Sequence, residues 1–89
     1  MILEIISPDA CLFTGEVVSV SFPGTEGRFE VCTGHAPLIA ALKAGEIRYV
    51  AQTGETTGTL SIAGGFAEVR NGRITACVEQ EPAEIPEDK

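Results

Sequence analysis

Tryptophan is absent from this chain of 89 residues, and tyrosine, methionine and histidine occur once each. With one histidine, acid–base work would fall to that residue alone, without a second imidazole to share it. Long apolar runs are missing too. The longest, Pro37 to Leu42, falls far short of the roughly 20 residues that carry a helix across a bilayer, and Met1-Ile2-Leu3-Glu4 offers no basic stretch of the kind that opens a secretory leader. Cysteine is sparse and odd in number. Cys11, Cys32 and Cys77 show no paired spacing, so they are expected as reduced thiols of a cytosolic protein rather than a disulfide frame. Cations are few: six Lys and Arg stand against 13 Asp and Glu, a net charge of −7. Nucleic acids and anionic membranes are bound by clustered Lys and Arg, so neither is an expected partner. A protein with basic or neutral contact surfaces is.

What is present reads as one small domain followed by a tail. Residues 1–78 carry eight acids and five bases, whereas 79–89 carry five acids and one base together with Pro82 and Pro86. The expectation is a folded unit over 1–78 and an acidic, proline-containing, disordered tail over 79–89. Helical periodicity is nearly absent, and short alternating runs separated by turn residues recur throughout. Ile2 to Ile6 reads as a first strand, ended by Ser7-Pro8-Asp9. Leu12-Phe13 is a short second one. In Glu16 to Phe22, Val18, Val20 and Phe22 face one way and Ser19 and Ser21 the other, and Phe29 and Val31 repeat the pattern. Leu38 to Leu42 is continuously apolar, Lys43-Ala44-Gly45 turns the chain, and Ile47, Tyr49 and Ala51 alternate with Arg48 and Val50. A hairpin turn is expected at Gln52 to Glu55, centred on Gly54, before a Thr-rich strand from Thr56 to Ile62. Gly64-Gly65 suggests a bulge or a close backbone approach. Asn71-Gly72 between Val69 and Ile74 predicts a tight hairpin, and Ile74, Ala76 and Val78 close the last strand inward. The spacing predicts an all-β fold, an antiparallel sandwich or barrel.

Chemistry-bearing patterns are thin. Cys32-x-x-His35 is one arrangement that hints at a site. As a metal pair it needs two further ligands, and as a nucleophile–base pair it needs an orienting group and an oxyanion hole. A structural thiol beside a surface histidine is the simpler reading; a small Cys/His-dependent metal protein or enzyme is the alternative. Pro23-Gly24-Thr25-Glu26-Gly27 lacks the Gly-Lys-Ser/Thr ending of a phosphate loop and precedes a strand, so no helix N-terminus is there to hold a phosphate. No catalytic residue, metal or cofactor is expected, and the absence of a catalytic constellation favours a binding or structural module.

Five segments carry a resemblance. In order they are Leu12-Phe13-Thr14-Gly15-Glu16-Val17, Pro23-Gly24-Thr25-Glu26-Gly27, Gly34-His35-Ala36-Pro37-Leu38, Leu42-Lys43-Ala44-Gly45-Glu46-Ile47-Arg48 and Ser61-Ile62-Ala63-Gly64-Gly65-Phe66-Ala67-Glu68-Val69. Together they closely resemble the N-terminal β domain of the epsilon subunit of F-type, proton-translocating ATP synthases. The resemblance implies a sandwich or flattened barrel of two roughly five-stranded antiparallel sheets, and a non-catalytic subunit of the central stalk, one that binds gamma, rests on the ring of c subunits and couples proton flow to ATP synthesis. It implies a peripheral place at the cytoplasmic face of the bacterial inner membrane, no direct lipid insertion, and a monomer in isolation.

Carried over position by position, the resemblance puts Ser7, His35, Ala36, Pro37, Leu38 and Ala40 on or near the gamma-facing surface, and Glu26, Gly27 and Arg28 against the polar loops of the c ring. Arg28 stands where relatives can carry an acid, which would alter or reverse the charge pairing with the ring. Glu30 replaces a common glycine, and Thr33 a common proline. Many relatives continue into a two-helix hairpin that can inhibit ATP hydrolysis. Pro82 and Pro86 stand where its first helix would begin, and interior proline costs a helix about 3 kcal/mol. The expectation is a short form without that brake.

Overall fold

Six strands make up the regular structure of residues 1–53 and 57–80, the part of the chain that the computed structural model describes. They are β1 (Ile2–Ile6), β2 (Cys11–Gly24), β3 (Gly27–Cys32), β4 (Leu38–Ala51), β5 (Thr57–Arg70) and β6 (Arg73–Gln80). The centre of the hairpin turn expected at Gly54 and the tail from 81 to 89 lie outside the described residues. Glu79 and Gln80, assigned to that tail by composition, continue β6.

Several expected short strands are joined into longer ones. Leu12-Phe13 and Glu16–Phe22 belong to one strand, β2, and β5 runs unbroken through Gly64-Gly65. The turn expected at Lys43-Ala44-Gly45 is the middle of β4. Its residues stay in the ladder, with Lys43 opposite Gly64 and Gly45 opposite Ile62, so the chain bends there without reversing. Buried positions record the bend. Ala67 and Val69 are two apart within one half of β5, but Leu42 to Ile47 and Ile62 to Ala67 are each five apart across the middle. An odd spacing means the inward side of the strand has slipped by one residue.

Pairing sorts these segments into two layers. The first half of β4, the second half of β5, β6, β1 and the first half of β2 form a layer of five segments. The other layer has four: β3, the second half of β2, the second half of β4 and the first half of β5. The expected flattened barrel is therefore built from six strands, three of which serve both layers.

One pairing departs from the expected antiparallel sheets. Hydrogen bonding closes β1-β6-β5-β4-β2 into a ring, because β1 pairs with both β6 and β2. A ring with an odd number of strands cannot alternate direction all the way round. One neighbouring pair must be parallel, and it is β1 with β6.

The core between the layers contains Leu3, Ile5, Val17, Val20, Phe22, Val31, Leu42, Ile47, Ile62 and, in β6, Ile74, Ala76 and Val78. The inward alternation of β6 is as the sequence predicts. In β2 it is Val17, not Val18, that is fully buried beside Val20 and Phe22. A register irregularity between Val17 and Ser19 shifts the phase there, and a bulge of this kind is invisible to a simple alternation count. Asn71 and Gly72 take φ of 51° and 76°, and Arg70 pairs with Arg73, the two-residue hairpin expected of that dipeptide.

The Gly64-Gly65 pair separates two roles. At Gly65, φ is 144°, and an added Cβ would collide with the Cys77 carbonyl and come within 2.8 Å of the Val78 Cα. At Gly64 the nearest atom to such a Cβ, the Leu42 carbonyl oxygen, is at an ordinary 3.6 Å. We expect Gly65→Ala to destabilise the fold by about 1–3 kcal/mol, the range of backbone strain. Gly64→Ala should stay within about 0.5 kcal/mol of the parent, as most substitutions without such a clash do. Urea unfolding of the two variants side by side is the check.

Candidate functional site

The β1–β2 loop, the β3–β4 loop with the start of β4, and the β2–β3 turn hold the residues that the resemblance singles out. The β1–β2 loop is folded tightly on itself: the Ser7 N–H donates to the Ala10 carbonyl at 2.8 Å, and the Ala10 N–H donates to the Ser7 hydroxyl oxygen at 3.2 Å. The β3–β4 loop, Thr33 to Pro37, is exposed throughout. It is shaped by the His35 N–H, which donates to the Cys32 carbonyl at 3.0 Å, and by the imidazole Nδ1, which donates to the Ala36 carbonyl at 2.7 Å.

These two loops are not neighbours. Leu38 stands on the rung Leu38–Val69–Ile74–Leu3, whereas Ser7 follows Ile6 on the rung Ala41–Phe66–Cys77–Ile6. Four residues along the strands and three strands across put Leu38 and Ser7 roughly 20 Å apart, at about 3.4 Å per residue and 4.8 Å per strand. They border the same outer face of the five-segment layer from opposite corners. Ala40 is placed differently: it alternates with exposed Ile39 and Ala41, pairs with buried Ala67, and shares the inward side of β4 with Leu42.

The ground between the loops is apolar and open. Ile39 is 74% exposed and Phe66 49%, the large hydrophobic side chains that the fold leaves most uncovered among the described residues. Phe66 pairs with Ala41 and sits diagonal to Ile39, close enough for the side chains to form one patch. A groove of about 380 Å³ between Ser7, Pro8, Ile6, Phe66 and Cys77 adjoins it on one side. A second of about 370 Å³ lies between Pro37, Leu38, Ile39 and Val69 on the other. Both sequence-singled loops thus line apolar hollows flanking the patch. Beyond the patch the same face becomes charged, with Arg70 paired to Glu68 at 2.7 Å and Arg73 to Glu4 at 3.4 Å. Neither Ile39 nor Phe66 was singled out. The available signal was weak: Phe66 is the large apolar residue out of phase with inward Ala67 and Val69.

The β2–β3 turn flanks this layer. Gly24 pairs with Gly27, leaving Thr25 and Glu26 exposed at the tip, and the Thr25 N–H donates to the Ala41 carbonyl at 3.0 Å. The turn carrying Glu26, Gly27 and Arg28 is thereby anchored at the rung that holds Phe66. Arg28 points its guanidinium back from the turn, donating to the Ser21 hydroxyl at 2.6 Å and to the Glu46 carbonyl.

Catalytic or metal chemistry finds no support here. Cys32 and His35 share an exposed turn, and among the described residues no three His, Cys, Asp or Glu side chains come together as a metal set. Cys11 and Cys77 flank Ile6 on either side, away from that turn.

The family model for the ATP synthase delta/epsilon chain, beta-sandwich domain, matches residues 1–81. The ATP synthase epsilon chain of Chlorobaculum tepidum is 42% identical over 78 residues, which span 88% of this chain and 88% of that one. The ATP synthase epsilon chain of Granulibacter bethesdensis is 44% identical over 78 residues, spanning 88% of this chain but 57% of the relative. In structure, a chain of the Euglena gracilis mitochondrial ATP synthase (OSCP/F1/c-ring) superposes with a TM-score of 0.81 at 25% identity, covering 88% of this chain and 49% of the other. A chain of the Tetrahymena thermophila mitochondrial ATP synthase central stalk and c-ring shares the fold, with a TM-score of 0.73 at 14% identity over 90% and 63% of the two chains.

Because Ile39 and Phe66 already face solvent, Ile39→Asp and Phe66→Asp should each change folding stability by no more than about 0.5 kcal/mol, the usual range for surface positions. Leu38→Asp should destabilise more, since Leu38 is half-buried against the core. Urea midpoints for the three variants give the test.

Proposed function

This chain belongs to the ATP synthase delta/epsilon β-sandwich family, and from that premise we propose that it is a non-catalytic subunit of the central stalk. It makes and breaks no bonds itself. It holds gamma on the ring of c subunits and helps transmit torque between proton flow and the catalytic assembly. Its place is peripheral to the membrane, within the synthase complex at the cytoplasmic face of a bacterial inner membrane, and the isolated chain is a monomer.

The observation that carries this reading is the open apolar patch of Ile39 and Phe66 on an otherwise charged chain of net −7. Patches of this kind mark surfaces that another protein covers. Ser7 borders the patch from one corner, and His35, Ala36, Pro37 and Leu38 from the other, so gamma lies across the five-segment layer between them. Ala40 contributes from beneath, by setting the height of β4. The β2–β3 turn, with Glu26, Gly27 and Arg28, projects beside that layer and meets the polar loops of the c ring. A closed β barrel suits such a part, because a sheet with most of its backbone paired resists bending under load. No second reading has an observation in its favour.

Capture of the cognate gamma subunit by this chain is the test. Wild type should retain gamma, while Ile39→Asp and Phe66→Asp, which leave the fold intact, should each weaken retention at least tenfold, as loss of a central apolar contact does. His35→Ala should weaken it less. Failure of folded wild type to retain gamma would remove the stalk assignment, and full retention by both Asp variants would move the interface off this face.

A further inference from the structure

The β2–β4 ladder contains a gap where β4 bends. Ser21 pairs with Arg48, and the next pairing is Gly24 with Leu42, so residues 43–47 of β4 face only Phe22 and Pro23 on β2. Pro23 has no N–H to donate. It is wedged against the bend: a Cβ added to Gly45 would lie 2.8 Å from the Pro23 Cβ. Carbonyl groups of β4 in this stretch therefore lack their ordinary donors from β2. Arg28 is the cross-strand partner of Pro23 on β3. Its guanidinium reaches over β2, donates to the Ser21 hydroxyl at 2.6 Å and reaches the Glu46 carbonyl inside the gap.

We propose that Arg28 is a positioning residue that supplies the donor Pro23 cannot, stitching the β2–β3 turn to the bend of β4, and that Glu26 presents the charge at the tip, matching a cationic polar loop on the ring. The proposal rests on the stalk reading for its partner, but not for the stitch. Two observations bear on direction. Ser21 pairs with Glu30, two residues back along β3 from Arg28, so the guanidinium lies roughly 7 Å behind its own rung, away from the turn. Two of its five N–H donors are taken by a hydroxyl and a carbonyl of this chain. Glu26, by contrast, is exposed in the turn, with no hydrogen bond or ion pair to any described residue. An arginine at position 28 thus does not turn the tip toward acidic partners; the outermost charge remains a carboxylate.

The test has two arms. In the free chain, amide exchange of residues 43–48 and of the 25–28 turn reads the stitch without any partner. Arg28→Gln should speed exchange there at least fivefold, and Arg28→Lys, which keeps the charge but reaches with a single ammonium, should recover it only partly. Glu26→Gln should leave exchange unchanged. In the second arm, binding of the chain to purified, detergent-solubilised c ring is measured from 50 to 300 mM NaCl. Glu26→Gln should weaken binding and flatten its salt dependence. Arg28→Gln should weaken binding by a similar factor at every salt concentration, with the slope kept. If Arg28→Gln flattens the slope and leaves exchange untouched, Arg28 is itself the ionic contact and the proposal is overturned. If folded wild type does not bind the ring at all, the partner half fails together with the ring contact of the stalk reading, while the exchange arm still decides the stitch.

Discussion

The closure of β1 between β6 and β2 is the constraint on which the rest of this structure depends. A sheet of so few residues has too little area to bury a core against itself unless it folds over, and folding over leaves edges. Pairing β1 on both sides removes two of them at once. Closure with five strands in the ring imposes the parallel β1–β6 pair. It also requires long strands that change layers, because the two layers must be joined by continuous backbone ladders and not by loops. The 14-residue lengths of β2, β4 and β5 follow from this requirement.

Strands that change layers must bend, and the bends fix the surroundings of the site. At the middle of β4 and β5 the inward side slips by one residue, so Leu42 and Ala67 belong to one layer's core surface and Ile47 and Ile62 to the other's. Gly65 passes so close to β6 that no side chain fits, and Phe66, next to it, is sent outward. The same geometry that seals the core thus produces the uncovered aromatic on the outer face. On the other side of β4 the bend opens the gap beside Pro23, and a side chain from β3 crosses to fill it. The apolar patch and the β2–β3 turn are tied through the hydrogen bond from the Thr25 N–H to the Ala41 carbonyl, beside the Gly24–Leu42 pairing. Two surfaces proposed to meet two partners are therefore held in fixed relation by adjoining backbone contacts between β2 and β4.

The surface ion pairs add little to this. Arg48 with Glu46, Arg70 with Glu68 and Arg73 with Glu4 all join an exposed arginine to an exposed or half-buried carboxylate, and surface pairs of this kind contribute from about 0 to 1 kcal/mol each. On the five-segment layer, the Arg70–Glu68 and Arg73–Glu4 pairs mark where the apolar patch ends and leave it distinct from its border.

Much of the fold was legible in the residues themselves. Alternation gave the inward set of β6, the turn chemistry of Asn71-Gly72 placed the last hairpin, and the ordered segments from Leu12 to Val69 carried the family. These are local signals, each written in a few adjacent residues, and local geometry obeys them wherever the chain is. What only the tertiary structure decided is everything that depends on two distant segments meeting. The continuation of β4 through Lys43-Ala44-Gly45 is settled by β5 on its flank, since a glycine between two alternating runs suits a turn and a bent strand equally well. Val17 replaces Val18 in the core because of an irregularity against β4. The separation of Ser7 from the His35 loop, the inward side of Ala40 and the backward reach of Arg28 all follow from register. Register is a relation between strands, fixed by which rung closes the ring, and no single stretch of sequence contains it.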